Sequence, residues 1–194
     1  MLHGILVIDA YLVSSLGEKA LAAMGLAASL GGLLLGVLFA FSSATQIRLA
    51  QAFGSGRPVA LKTGLYAGVI INLAVSLIGL AFVIIFGGQI ITAFAHTPAI
   101  AAQAQAYLHV FLLVVLIEAV GQCLGSYFNG CGNTKTPFYS YLIALPVNIA
   151  VSVVLIHGLY GFPELGVVGA AVGTVVAALA RAACMGVSFY RDTR

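Results

Sequence analysis

Charge is what this chain has least of. Charged residues occupy 7% of its 194 positions, eight Lys and Arg against five Asp and Glu, while hydrophobic residues occupy 62%. Soluble domains carry about 25% charged residues, so this composition cannot clothe a globular surface. Chemistry-bearing patterns are missing too. Cys123, Cys131 and Cys184 form no Cys-x-x-Cys or other metal-ligand spacing and read as packing residues. Gly54-Ser55-Gly56 and Gly130-Cys131-Gly132 lack the flanking strand and Lys that a phosphate loop needs. There is no zinc site and no nucleophile triad, so no enzyme, no metal and no cofactor is expected. Linkers and low-complexity tails are absent. The net charge of +3 reflects loop bias and does not point to nucleic acid.

What remains is a series of long apolar runs, each bounded by Gly, Pro or charged residues. They predict membrane helices at about 2–15, 20–47, 59–86, 98–129, 138–158 and 166–190. The expected fold is an all-α integral membrane protein, a single six-helix transmembrane bundle over residues 1–194. Five runs are long enough to cross a hydrocarbon core of about 30 Å. The first, at about 14 residues, reaches only roughly 21 Å and reads as the second half of a helix whose beginning is missing. A signal peptide would need a basic n-region, where only His3 precedes the apolar run, and a small-x-small cleavage site.

Basic residues gather in alternate connections. Arg48, Arg57 and Lys62 surround the second, Lys135 lies in the fourth, and Arg191 and Arg194 follow the last helix. The opposite loops hold Lys19 balanced by Glu18, no Lys or Arg at 87–97, and Glu164. The positive-inside rule therefore places the first set, with the C-terminus, in the cytoplasm. Small residues recur four apart at Gly32/Gly36, Gly64/Gly68, Gly121/Gly125 and Gly169/Gly173, the spacing of close helix seams in lipid. Pro146 inside the fifth run removes a backbone donor and predicts a kink.

Ionisable groups within apolar runs are costly and therefore informative. They are Asp9, Glu118 and Arg181. Counting inward at 1.5 Å per residue puts Asp9 and Ser152 roughly 9 Å deep, Asn148 one turn further, and Tyr107 and Thr174 at roughly 12–14 Å. Asn148 and Ser152, four apart, share one helix face. A carboxylate, an amide, two hydroxyls and a phenol thus converge at one level, the ligand set a proton or hard cation wants. The competing readings are structural: hydroxyls bonded to their own helix for Ser152 and Thr174, an interfacial anchor for Tyr107, and a headgroup position for Asp9 should the short helix fail to span. Glu118, with His109 on the same helix as a candidate neighbour, forms a second polar site that could relay protons, pair with a cation or serve a helix interface. Arg181 reads as a snorkelling anchor.

Four segments resemble one known family. IDAYLVSSLGEKALAAMGLAASL at 8–30, QIRLAQAFGSGR at 46–57, GNTKTP at 132–137 and NIAVSVVLIHGLYGFPELGVVGAAVGTVVA at 148–177 are similar, in order and spacing, to landmarks of multidrug and toxic compound extrusion (MATE) transporters. The resemblance covers the N-terminal of two six-helix lobes, so the chain is expected to be a fragment, its partner a second lobe or, in a homodimer, another copy. It implies an antiporter in the cell membrane that exports small amphipathic or cationic substrates by alternating access, coupled to H+ or Na+. The family's cation site would fall on Asp9, Asn148, Ser152, Tyr107 and Thr174, with Asp9 as the coupling carboxylate. Ser152 departs from the pattern: it stands where many members carry a second carboxylate. The other readings are a lipid-linked oligosaccharide flippase, which would favour a basic central cavity, and a non-transporting truncated product or assembly partner.

Overall fold

The computed structural model describes residues 2–192, and Arg194, counted above among the basic residues, lies outside them. The described residues form six α-helices: α1 (Leu2–Ser14), α2 (Glu18–Gly54), α3 (Pro58–Phe94), α4 (Pro98–Gly130), α5 (Lys135–His157) and α6 (Val167–Asp192), with a 3-10 turn at Leu159–Gly161. Helices α2 to α6 are long and apolar enough to cross a membrane; α1 is shorter. The chain is an all-α, multi-pass membrane protein.

Local chemistry sets the breaks. Thr97 caps α4 by accepting the Ile100 N–H at 3.3 Å, and Pro98 follows at the first helical position. Pro58 stands at the start of α3, there without a side-chain cap. Gly158 ends α5 in the left-handed conformation, φ 64°. Two helices overrun the apolar segments that announced them. The run 20–47 becomes part of a 37-residue helix ending at Gly54, because Arg48 and Gln51 leave the hydrocarbon without leaving the helix. The run 59–86 continues to Phe94 through Gly87 and Gly88. A Cβ at Gly87 would meet Leu108 of α4 at 3.4 Å, so this glycine lies in a helix contact and not at a break. Hydropathy marks where lipid ends; caps and turns mark where helices end. α5 runs through Pro146 as one helix.

α4 is the hub. It packs on α2 and α3 on one side and on α6 on the other, α5 lies against α6, and α1 leans on α2, α5 and α6. Phe111, Val114, Val115 and Leu38 lie in the main core. Tyr107 stacks on Phe111 with ring centroids 5.6 Å apart. α3 turns Ile70, Ile78, Phe82 and Ile84 outward, as a lipid-facing helix should.

Three of the four glycine pairs are seams. Gly68 receives Thr45 of α2. Gly121 and Gly125 face Arg181 and Met185 of α6. Gly169 and Gly173 lie against α5, where a Cβ on Gly169 would stand 2.7 Å from the Leu155 backbone. Gly32 and Gly36 are the correction: nothing lies within 4 Å of a Cβ at either, because they fall on a face of α2 that none of the described helices covers.

Candidate functional site

Asp9 sits at the crossing of α1, α5 and α6, fully buried at 0% exposure. Thr174 Oγ1 donates to its Oδ2 at 2.6 Å, and Ser152 Oγ donates to its Oδ1 at 3.2 Å. Asn148 Nδ2 donates in turn to Ser152 Oγ at 3.5 Å, the i,i+4 relation read from the sequence. The seam makes these contacts reachable: Gly173 lets α6 approach so closely that the Ser152 backbone nitrogen would stand 3.0 Å from a Cβ there. Asn148, Ser152 and Thr174 are buried with it. Asp9 is therefore enclosed among α1, α5 and α6.

Tyr107 is buried on the α4 side, within electrostatic reach of Asp9. Its hydroxyl and Asn148 Oδ1 have no hydrogen-bond partner among the described residues. Full burial removes the interfacial-anchor reading of Tyr107. Ser152 spends its hydroxyl on Asp9, and Thr174 reaches both Asp9 and its own i−4 carbonyl at Ala170, 3.0 Å away. Of the five residues expected at one level, four share a chain of hydrogen bonds and the fifth lies beside it.

The second polar site divides. Glu118 is buried, at 1% exposure, and pairs with Arg181 of α6. Arg181 is therefore a partly buried partner of Glu118, its side chain 14% exposed, and not a snorkelling anchor. The pairing crosses from α4 to α6, which separate runs of sequence could not reveal. His109 does not join Glu118. It is exposed, because nine residues at 3.6 per turn amount to about two and a half turns and set the two on opposite faces of α4.

Another polar cluster escaped the sequence reading. Ser42 Oγ donates to Gln122 Oε1 at 3.1 Å, and Ser126 Oγ donates to the Ser42 carbonyl at 2.8 Å. Nearby on α3, Asn72 is buried and donates to the Gly68 carbonyl at 3.0 Å. Part of the signal was available: Ser42, Gln122 and Ser126 interrupt apolar runs near their basic-loop ends, whereas Asn72 stands in the middle of its run and the depth count would not have joined it to them.

These features define a class, a multi-pass helical membrane protein with an ionisable group held among oxygen and amide ligands inside its bundle. The MatE family model matches residues 2–154, and the chain belongs to that family. Among its relatives it is 34% identical over 169 residues to a probable multidrug resistance protein NorM of Bradyrhizobium diazoefficiens, covering 87% of this chain and 36% of that protein. It is 29% identical over 169 residues to probable multidrug resistance protein YoeA of Bacillus subtilis, covering 85% and 36%. The fold matches an inward-facing multidrug resistance MATE family transporter with a TM-score of 0.84 at 18% identity, over 94% of this chain and 41% of that one. A eukaryotic MATE transporter matches with a TM-score of 0.82 at 22% identity, over 95% and 40%. The chain thus spans about two fifths or less of the proteins it resembles.

Proposed function

We propose that this chain is the N-terminal six-helix lobe of a proton-coupled efflux antiporter, with Asp9 as the coupling carboxylate. The observation that carries the reading is the state of Asp9: fully buried, fed by two hydroxyls, and paired with no Lys, Arg or His among the described residues. A carboxylate without a counter-charge in a low-dielectric interior is stable only when something neutralises it. Binding and release of that neutraliser give the two-state bias that alternating access requires. A proton suits this ligand set better than sodium does, because Ser152 contributes no second negative charge.

Small amphipathic or cationic compounds are the substrate class of this reading, supported by relatives named as probable multidrug resistance proteins. A second lobe supplies the other half of the pathway. The location that suits these features is the plasma membrane. Arg48, Arg57, Lys62 and Lys135 mark the cytoplasmic end, which sets the C-terminus there as well.

The test is ethidium efflux in everted vesicles carrying the protein expressed from its natural reading frame. An imposed proton gradient should drive efflux, and Asp9→Asn should abolish it. Unchanged coupled efflux in that variant removes Asp9 from the mechanism, and dependence on a sodium gradient alone replaces the proton.

A further inference from the structure

The Glu118–Arg181 pair is only half satisfied. Arg181 Nη2 bonds Glu118 Oε2, while Glu118 Oε1 and Arg181 Nε are buried with no partner among the described residues. Both residues wall a cavity of about 10 Å³ that Thr174, the Asp9 ligand, also lines. Thr174 and Arg181 are seven apart on α6, two turns along one face. Ala177 and Ala178 fill the turns between them with short side chains, and Tyr141 of α5 is the remaining polar side chain in the wall. Opposite, Gly121 keeps space for the guanidinium: a Cβ there would come within 3.2 Å of Arg181 Nη2.

That space suits one water, which needs roughly 10–15 Å³ and about three polar partners. The wall residues offer such a water a donor in Arg181 Nε–H, an acceptor in Glu118 Oε1 and the Thr174 hydroxyl. We propose that Glu118, Arg181 and Thr174 hold one water between them, and that this water links the ion pair to Asp9 as the route by which a proton leaves the coupling site toward the α4–α5 end of the bundle. This rests on the reading of Asp9 as the coupling group.

The transfer balances. The Asp9 carboxylic acid gives its proton to Thr174 Oγ1 while the threonine hydroxyl proton passes to the water. One water proton then passes to Glu118 Oε1. Asp9 ends as a carboxylate and Glu118 as a carboxylic acid, with Thr174 and the water unchanged in composition. Arg181 keeps its charge and orients the water. Glu118 and Arg181 are positioning and relay groups that touch no substrate.

Two variants test the route without leaving an unpaired buried charge, the defect that a single substitution creates. Glu118→Gln/Arg181→Gln removes both charges, and Ala178→Val narrows the cavity while keeping the pair. Each is measured in vesicles for proton-driven ethidium efflux and for counterflow, in which labelled ethidium exchanges for unlabelled with no net proton movement. Both variants should slow proton-driven efflux at least about tenfold, as loss of a proton-transfer group does, and leave counterflow within twofold of the parent. Parental efflux in either variant overturns the route, and so does an equal loss of efflux and counterflow, which marks general damage. Asp9→Asn separates the two readings: if it spares coupled efflux, the coupling role and the route fall together; if it abolishes efflux while the other two variants run normally, only the route falls.

Discussion

Thr174 Oγ1 lies 2.6 Å from Asp9 Oδ2, joining α6 to α1 across 165 positions of sequence. This contact fixes the carboxylate to the helix that also carries Arg181. It is the shorter of the two hydroxyl contacts to Asp9. Removing it should be felt in stability as well as in transport.

Thr174→Val replaces the hydroxyl with a methyl of similar shape. When Asp9 is deprotonated the bond runs to a charged group and contributes about 1.5–3 kcal/mol, so a loss of that size should appear as a lower unfolding temperature in detergent at alkaline pH. In an Asp9→Asn background the same substitution should cost clearly less, since the acceptor no longer carries charge. Equal costs in the two backgrounds would show that the threonine acts through packing alone.

Gly173→Ala forces a methyl into the Ser152 hydroxyl and should separate α5 from α6, at about 1–3 kcal/mol. Gly36→Ala, with nothing within 4 Å, should stay within about 0.5 kcal/mol of the parent. Thermal stability of the purified variants reads both, and a Gly36 substitution as damaging as the Gly173 one would place an unrecognised surface against α2.

Glu118→Leu strands the Arg181 guanidinium and should cost about 3–5 kcal/mol, whereas Glu118→Leu/Arg181→Leu should restore most of it or exceed the parent. The comparison uses the same unfolding assay. A double variant no better than the single would mean that the two side chains do not stabilise the fold as a pair.

Tyr107→Phe deletes a buried hydroxyl that has no partner among the described residues. Because no hydrogen bond is lost, stability should be unchanged or higher, by up to about 1 kcal/mol. A substantial fall in unfolding temperature would reveal a partner for that hydroxyl.

Orientation can be read by labelling. In a background with Cys123, Cys131 and Cys184 replaced by Ala, Glu164→Cys should react with a membrane-impermeant maleimide on intact cells. Ser55→Cys should react only after permeabilisation, as the basic α2–α3 connection predicts. The reverse pattern would invert the proposed topology.

Much of this was legible in the sequence because bilayer physics is nearly one-dimensional. Apolar length gives the spans, and residue count gives depth, so Asp9, Asn148, Ser152 and Thr174 could be assigned to one level before any contact was known. Depth says nothing about direction around a helix axis, and the sequence reading lost its footing there. His109 and Glu118 share a helix but not a face. Arg181 lies near an end of the apolar run yet turns inward to Glu118. Gly32 and Gly36 have the spacing of a seam and meet no described helix.

The sequence by itself determined the class of protein, the presence of six helices, and the small set of polar groups that hydrocarbon would not tolerate without a reason. It did so because every buried backbone group must be satisfied within a helix and every buried charge must be compensated. Only the tertiary structure decided which compensation each group found. Asp9 met hydroxyls because Gly173 let α6 close on Ser152, and Glu118 met a guanidinium because Gly121 left space for it. Those pairings depend on how helices rotate and approach one another, which packing fixes and hydropathy does not record.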